Sequence, residues 1–139
     1  MPMKTLVIYY SFTGHTRAAA KKIAQAENAD IIEVKETKKR SKLNAYVAGS
    51  FAAMRHKEAV LQEYACDFAA YDRIVIAVPI WAGHPAPAFN NIINLLPSGK
   101  EVELVMISGG GNSGSSAEKT KQRIADRGCR VTKYLDQKA

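Results

Sequence analysis

Short apolar runs alternate with stretches of helical periodicity along the chain, and this alternation limits the fold more than any other feature. The apolar runs are Thr5–Tyr10, Asp30–Val34, Arg73–Val78, Val102–Ser108 and Arg130–Leu135. The helical stretches are Thr16–Ala26, Ser41–His56, Pro87–Leu96 and Ser115–Arg127. This βαβαβαβαβ order predicts an α/β fold with a five-stranded parallel sheet and right-handed crossovers.

The strands differ in how apolar they are. Ile74–Val78 is apolar on both sides, which predicts a central strand covered on both faces. In the last strand Val131 and Leu135 alternate with polar residues and Lys133 breaks the pattern, which predicts a partly exposed edge. The four residues after Leu135 are too few for a further helix. We therefore expect one sheet face to be partly uncovered, with a homodimer or another partner packed there.

The helical stretches carry packing and boundary signals. The first has a small-residue face with Ala19, Ala20 and Ala24, suited to close packing on a sheet. The second places four apolar residues along one side: Leu43, Val47, Phe51 and Met54. The last begins with a capping box at Ser115–Glu118 and ends at Gly128.

Length and composition favour one soluble domain over residues 1–139. The longest apolar stretch, Ile74–Phe89, contains three prolines and a glycine, so we expect no membrane span. The start of the chain does not match a secretory signal. Cys66 and Cys129 match no metal or redox spacing, and we expect reduced, partly buried thiols in a cytoplasmic protein.

The chain is basic, with a net charge of +7. Much of the excess lies in one region: Lys35, Lys38, Lys39, Arg40, Lys42, Arg55, His56 and Lys57. This region is either a solvated face or a docking face for an acidic partner or a phosphorylated cosubstrate. Nucleic acid is disfavoured as a partner because the region lacks interleaved aromatics at a recognisable spacing.

Three loops follow the carboxyl ends of the first, third and fourth strands, where open parallel sheets bind ligands. Loop 1 (Ser11–Thr16) carries hydroxyls and a glycine at a helix N-terminus, which predicts an anion site. Loop 2 (Pro79–Pro85) contains Trp81, and loop 3 (Ser108–Gly114) is rich in glycine. Together they suit a flat aromatic ligand with a phosphate tail, on which Trp81 could stack.

The chain resembles the flavodoxin family, specifically its short FMN-binding members. The resemblance rests on Ser11-x-Thr13-Gly14-x-Thr16 after a strand, on Pro79-x-Trp81-x-Gly83-x-x-Ala86 with Phe89 beyond it, and on the glycines of loop 3. It covers residues 3 to about 135. It implies a three-layer flavodoxin-like sandwich of strand order 2-1-3-4-5, one non-covalent FMN and electron transfer through the flavin.

The resemblance also assigns site residues. The FMN phosphate and its surroundings would be bound by Ser11, Phe12, Thr13, Gly14, His15 and Thr16. The flavin ring and its edge would be contacted by Pro79, Ile80, Trp81, Ala82, Gly83 and His84. The pyrimidine end would be lined by Ser108, Gly109, Gly110, Gly111 and Asn112. A peptide flip at Gly83 would follow the protonation of the flavin. No metal site is expected.

Several of these residues have simpler alternatives. Thr13 and Thr16 can merely cap the helix, and Trp81 can be a core residue. His15 and His84 can be ordinary surface residues, although His84 could also donate a proton near a reduced flavin. The glycines Gly109–Gly111 can form no more than a flexible turn.

The chain departs from the family in two ways that bear on function. It is basic where electron-carrier flavodoxins are usually acidic, and loop 3 lacks the aromatic residue that commonly covers the second flavin face. Three hypotheses therefore stay open. The protein is an FMN electron carrier with a matched redox partner protein, an FMN-dependent NAD(P)H:acceptor oxidoreductase of quinone type, or a non-redox module that binds another phosphate ligand or a protein.

Overall fold

The structure of the protein is a computed structural model that describes residues 4–38, 41, 44, 48–114 and 116–139. The strands are β1 (Thr5–Tyr9), β2 (Asp30–Glu33), β3 (Arg73–Trp81), β4 (His84–Pro85), β5 (Glu101–Ser108) and β6 (Arg130–Lys138). The helices are α1 (His15–Glu27), α2 (Ser50–Met54), α3 (Ala88–Leu95) and α4 (Ser116–Asp126), with a 3₁₀ turn at Phe68–Ala70. The alternation of strand and helix therefore follows the order expected from the apolar periodicity.

The long strands form a parallel sheet in the order β2-β1-β3-β5-β6. The two-residue β4 pairs antiparallel with the end of β3. When β4 is set aside, the order is the 2-1-3-4-5 arrangement that the resemblance implied, and the expected flavodoxin-like α/β fold is confirmed. The carboxyl ends of β1, β3 and β5 therefore share one rim of the sheet.

Helices cover the sheet on both faces and make three layers. On one face α1 packs its alanines onto alternate residues of the central strands, and this layer contains Val7, Ala19, Ala20, Ala24, Val75 and Ala77. On the other face the larger apolar residues of α3 and α4 complete the main core, among them Phe89, Ile92 and Ile124. Residues Ile74–Val78 of β3 are inaccessible to solvent, as expected for the central strand.

Strand β6 is the exposed edge that the sequence predicted. Its pairing with β5 shifts register: Val131 lies opposite Val102, whereas Lys133 lies opposite Glu103. Thr132 is thus an extra residue, and this β-bulge explains why Lys133 breaks the apolar alternation. On the side that α1 covers elsewhere, β6 presents exposed side chains, including Leu135 at 38% exposure.

The second predicted helix differs most from expectation. The described helix α2 is five residues long, and Phe51 and Met54 are each 52% exposed. Phe51 and Met54 therefore lie outside the core, whereas Ala53 of the same helix is fully buried. Leu43, Val47, Lys39, Arg40, Lys42 and Ser115 lie outside the described residues.

Two general expectations can be compared with the described part of the chain. Cys129 is buried, Cys66 is partly buried, and both thiols are free. Among the described residues, no helix has the length and apolar character needed to cross a bilayer.

Candidate cofactor site

Loop 1 makes a tight turn whose last two residues begin α1. The Gly14 N–H donates to Ser11 Oγ at 3.1 Å, and Gly14 has a φ of 100°, in the left-handed region where glycine carries little strain. The first bond of α1 runs from the Ala18 N–H to the Gly14 carbonyl at 3.0 Å. The N–H groups ahead of Ala18 therefore have no partner within the helix and sit at its positive end. The turn can bind an anion through its backbone.

Thr13 and Thr16 of loop 1 do not cap the helix, which was the simpler role considered for them. Gly14 is the N-cap of α1, and no side chain caps this helix end. Thr16 is 2% exposed and Thr13 is exposed, so the two hydroxyls occupy different surroundings. His15 is exposed at the first position of α1, beside the free N–H groups.

An ion pair beside loop 1 was not anticipated from the sequence. Arg17 donates to both oxygens of Glu33, at 3.2 and 2.7 Å, and Tyr9 donates to Glu33 Oε1 at 2.9 Å. Burial favours the neutral acid, but the hydrogen bonds from Arg17 and Tyr9 outweigh it and lower the pKa of Glu33. Burial and the neighbouring Glu33 raise the pKa of Tyr9. The cluster joins α1 to β2 next to the anion site.

A cavity of about 550 Å³ opens beside this turn. It is lined by Tyr10, Ser11, Phe12, Thr13, Gly14, Arg17, Glu33, Lys35, Glu36, Thr37, Lys38 and Gln62. Its cations Arg17, Lys35 and Lys38 outnumber its carboxylates. Arg17 is paired with Glu33, and Tyr10 donates a hydrogen bond to Glu36 without cancelling its charge, so Lys35 and Lys38 against Glu36 leave one net positive charge.

Loop 2 is more regular than expected. Pro79, Ile80 and Trp81 belong to β3 and do not form a loop: Pro79 lies opposite Ile107, and Trp81 pairs with His84 across a hairpin. Their assignment to a loop is therefore wrong, because Pro79 occupies a strand position despite its missing N–H. The tip residues Ala82 and Gly83 have φ values of 50° and 78°, the two positive angles of a type I′ turn.

Trp81 brings the hairpin against loop 1. Its ring lies edge-on to Phe12, with 5.8 Å between centroids, and edge-on to Tyr10, with 6.0 Å. The side chain is partly buried and packs against the main core while keeping some exposure. Trp81 therefore forms an aromatic wall directly beside loop 1, as the convergence of the loops predicted.

Loop 3 is anchored by residues that the sequence did not single out. The Ser113 N–H donates to Asp136 Oδ1 at 2.9 Å, and the Ser113 hydroxyl lies 2.5 Å from that of Tyr134. Gly111 has a φ of 71°, and a Cβ there would approach the backbone of Lys138. That contact would be of ordinary van der Waals length, so it is the positive φ that favours glycine at this position.

The remaining positions of loop 3 are open. A Cβ at Gly109 or Gly110 would have no atom within 4 Å. The Asn112 N–H donates to Ser108 Oγ at 3.0 Å, and the Asn112 side chain accepts from the Gly114 N–H at 2.6 Å. The tip thus presents backbone and small polar groups at the same rim as loop 1 and the hairpin.

His84, at the base of the hairpin tip, has a neighbour that sequence reasoning did not pair with it. Its ring centroid lies 6.1 Å from that of His56, which follows α2. His56 has a φ of 54°, and the bonds His56 N–H to Ala53 O and Lys57 N–H to Ala52 O form a helix-ending motif that favours glycine. Such a conformation costs a non-glycine residue about 1 kcal/mol.

A larger groove of about 930 Å³ lies away from the three loops, between segment 58–69 and residues of α3. Burial raises the pKa of its Tyr64 and Cys66, which keeps the thiol protonated and weakly nucleophilic. This groove has none of the anion-binding geometry of loop 1, so size alone does not identify the functional site.

The comparisons with known proteins agree with this geometry. A family model described as flavodoxin matches residues 4–139. A candidate flavoprotein of Bacteroides uniformis is 27% identical, with a TM-score of 0.80, and the match covers 100% of this chain and 94% of that chain. No curated protein sequence matches the chain.

Two further solved structures support the fold. The flavoprotein of Lactobacillus acidophilus NCFM, whose crystal structure is a complex with FMN, is 24% identical with a TM-score of 0.78, over 96% of this chain and 92% of that one. The two-electron reduced flavodoxin of Megasphaera elsdenii is 20% identical with a TM-score of 0.63, over 94% and 83%. Because the family match extends over residues 4–139, this chain belongs to the flavodoxin family.

Proposed function

We propose that this chain is a redox protein that binds FMN non-covalently and carries electrons through it. One observation carries the proposal: Trp81 stands 5.8 Å from Phe12, so an aromatic wall and an anion-binding turn lie side by side. The FMN complex of the similar Lactobacillus acidophilus protein supports the same cofactor here. When bound, FMN supplies the electron-transfer chemistry, and the protein sets its orientation and access.

The described residues fit FMN. The free N–H groups at the start of α1 suit a phosphate dianion, and the hydroxyls of Ser11, Thr13 and Thr16 can add hydrogen bonds. Trp81 can cover one face of the ring, and the tip at Ala82 and Gly83 can contact its edge. The backbone of Ser108–Asn112 can reach the pyrimidine end. The free thiols are consistent with a reducing, cytoplasmic setting.

The second candidate is an FMN-dependent NAD(P)H:acceptor oxidoreductase. The open tip of loop 3 favours it, since Gly109 and Gly110 leave free space where a covering side chain would otherwise stand. An uncovered flavin face could receive a hydride donor or a small acceptor such as a quinone. In the carrier, by contrast, a redox partner protein would meet the basic surface.

The absorption spectrum tests the cofactor. We expect the purified protein to be yellow and to release one FMN per chain on denaturation. A folded protein that stays colourless after FMN is added would overturn the proposal.

Anaerobic mixing separates the two candidates. Rapid bleaching of the flavin by NADPH or NADH alone would identify the oxidoreductase. Bleaching that requires a separate reductase would identify the carrier. The variant Lys22→Gln removes one exposed charge on α1, and in the same experiment it controls for nonspecific effects of protein charge on the rate of bleaching.

A further inference from the structure

We propose that His56, His84, Arg123 and Lys119 form a binding site for a phosphate monoester carried by a small co-substrate of the flavin. The site itself stands on the geometry below. The identity of its ligand as a co-substrate rests on the proposed function, in its oxidoreductase form.

The cluster draws cationic groups from separate parts of the chain to one place. His56 follows α2, His84 lies in β4, and Arg123 and Lys119 are one turn apart on α4. The two imidazole centroids are 6.1 Å apart, and His56, His84 and Arg123 are all partly buried. Asn90 bonds both Arg123 and the Lys57 carbonyl, which brings the guanidinium beside the segment that carries His56. Two imidazoles and a guanidinium so arranged suit one compact dianion, because each can donate a charge-assisted hydrogen bond to it.

Two asparagines of α3, the buried Asn90 and the partly buried Asn91, hold the cluster in position. Asn90, 1% exposed, accepts from Arg123 at 2.6 Å and donates to the Lys57 carbonyl at 2.8 Å. Asn91 exchanges two hydrogen bonds of 2.8 Å with the backbone of Ala59. The guanidinium of Arg123 also lies over the Phe89 ring at 5.6 Å. Helix α3 therefore fixes both the segment after His56 and the side chain of Arg123.

The backbone at His56 has a conformation that usually takes a residue other than histidine. Three helices end with the same bonding pattern, and the residue with positive φ is Asn28 after α1, His56 after α2 and Gly128 after α4. Glycine and asparagine are the usual residues at this position. Histidine there keeps the strained conformation while placing an imidazole opposite His84.

Among the described residues, the charged groups that act on His56 are cationic. Burial, and then Arg123, Lys119 and His84, lower the pKa of His56. On α4 the carboxylate of Glu118 pairs with Lys121 at 3.1 Å. On the segment after α2, Glu58 accepts from the Asn94 amide at 3.1 Å. Arg55 lies 4.3 Å from the ring of Phe51 on its own helix, and Lys57 is exposed. A bound anion would supply the missing countercharge.

The position of His84 connects this cluster to the flavin site. His84 pairs with Trp81 across the hairpin, so a phosphate on the cluster would place the rest of its molecule near the ring-binding rim. An acidic peptide would spread its carboxylates over a wider area than this cluster offers. We therefore favour a small molecule with a terminal phosphate over an acidic protein.

The test is an NMR titration of the histidine side chains in the FMN-loaded protein. Sulfate is the first probe because it stays dianionic over the whole titration, with chloride used to hold ionic strength constant. We expect sulfate to raise the pKa of His56 by about one pH unit, a tenfold coupling. Arg123→Gln and Lys119→Gln should each reduce this rise, whereas Lys22→Gln should preserve it. Lys119 is exposed, so its variant keeps the test valid if Arg123→Gln fails to fold.

Dinucleotides then identify the source of the phosphate. If NADP⁺ raises the pKa of His56 and NAD⁺ does not, the site recognises the 2′-phosphate of the co-substrate. A rise with sulfate and inorganic phosphate alone supports the site and assigns it to a simpler phosphate ester. A response to a polyglutamate peptide without a response to sulfate overturns the proposal in favour of protein docking.

Failure of this inference is distinguishable from failure of the proposed function. If the protein is yellow and FMN-loaded but no anion changes the pKa of its histidines, the anion site is overturned and the flavin function is left intact. A protein that refuses FMN overturns the flavin function, and the same sulfate titration of its histidines still decides whether the cluster binds an anion.

Discussion

The rings of Phe12 and Trp81 meet edge to face, with 5.8 Å between centroids and 87° between planes. Phe12 belongs to loop 1 and Trp81 to the end of β3, so this contact sets the spacing between loop 1 and the hairpin that carries Trp81. Tyr10 supports Trp81 in a second edge contact at 6.0 Å. These two edge contacts orient the Trp81 ring.

Replacing Trp81 with alanine should weaken FMN binding. The loss of a stacking partner and of its apolar area should raise the Kd about tenfold or more, equivalent to roughly 1.4 kcal/mol. Quenching of FMN fluorescence during titration measures this directly. Tyr71→Phe, which removes a hydroxyl bonded to Asp30 at the far end of the sheet, should leave the Kd unchanged. An unaltered Kd in Trp81→Ala would show that the ring binds elsewhere.

Gly14→Ala should destabilise the protein and impair phosphate binding. The φ of 100° is unfavourable for any residue with a Cβ, and the expected loss in the free energy of unfolding is about 1–2 kcal/mol. Urea unfolding measures the loss in the free energy of unfolding, and the FMN titration measures how far phosphate binding by the turn is impaired. Gly109→Ala is the matched control, because its Cβ would meet open space and its φ is not positive. Equal stability of the two variants would contradict the strain argument.

Glu33→Gln should make stability less dependent on pH in the acid range. The folded pKa of Glu33 is lowered, so its stabilisation is fully present above the unfolded value of about 4.5 and is lost as pH falls through the folded pKa. At pH 7 the variant should lose about 0.5–1 kcal/mol, as for a partly exposed pair. Urea unfolding at pH 7 and at decreasing acid pH should show the difference vanish. If the difference in the free energy of unfolding between the two proteins did not change with pH, ionisation of Glu33 would not be the source of the stabilisation.

The uncovered side of β6 should pair with a second copy of the chain. Leu135 is exposed there among polar neighbours, and we expect a homodimer that Leu135→Asp weakens. Light scattering at tens of micromolar measures the mass of both proteins. Val60→Asp, at a residue 73% exposed on another surface, serves as the control. A monomeric wild-type protein would count against this prediction.

The sequence predicts the sheet well because its strands are marked locally. Ile74–Val78 is apolar throughout, and it is the buried central strand. The extension of β3 to Trp81 was missed because Pro79 lacks an N–H and usually ends a strand, and here Pro79 lies opposite Ile107. The tip Ala82-Gly83 also lacks the Asn-Gly or Asp-Gly pair that most strongly signals a type I′ hairpin.

The site was predictable where it depends on loops and was missed where it depends on contacts between elements. The convergence of loop 1 with Trp81 followed from parallel strands sharing a rim. The pairs Arg17–Glu33, Ser113–Asp136 and His56–His84 join residues distant in sequence, and no local pattern announces them. The bulge at Thr132 was predictable in part. The sequence shows that Lys133 interrupts the apolar alternation of the strand, but it does not show that an extra residue causes the interruption.

Because β3 continues into the hairpin that carries Trp81, the loops at this rim should differ in how well they tolerate substitution. Trp81 shares a backbone with Ile74–Val78, so altering the hairpin disturbs the most buried strand of the molecule. A Cβ at Gly109 or Gly110 would have no atom within 4 Å. Substitutions at Gly109 and Gly110 should therefore be better tolerated by the fold than substitutions in the hairpin that carries Trp81.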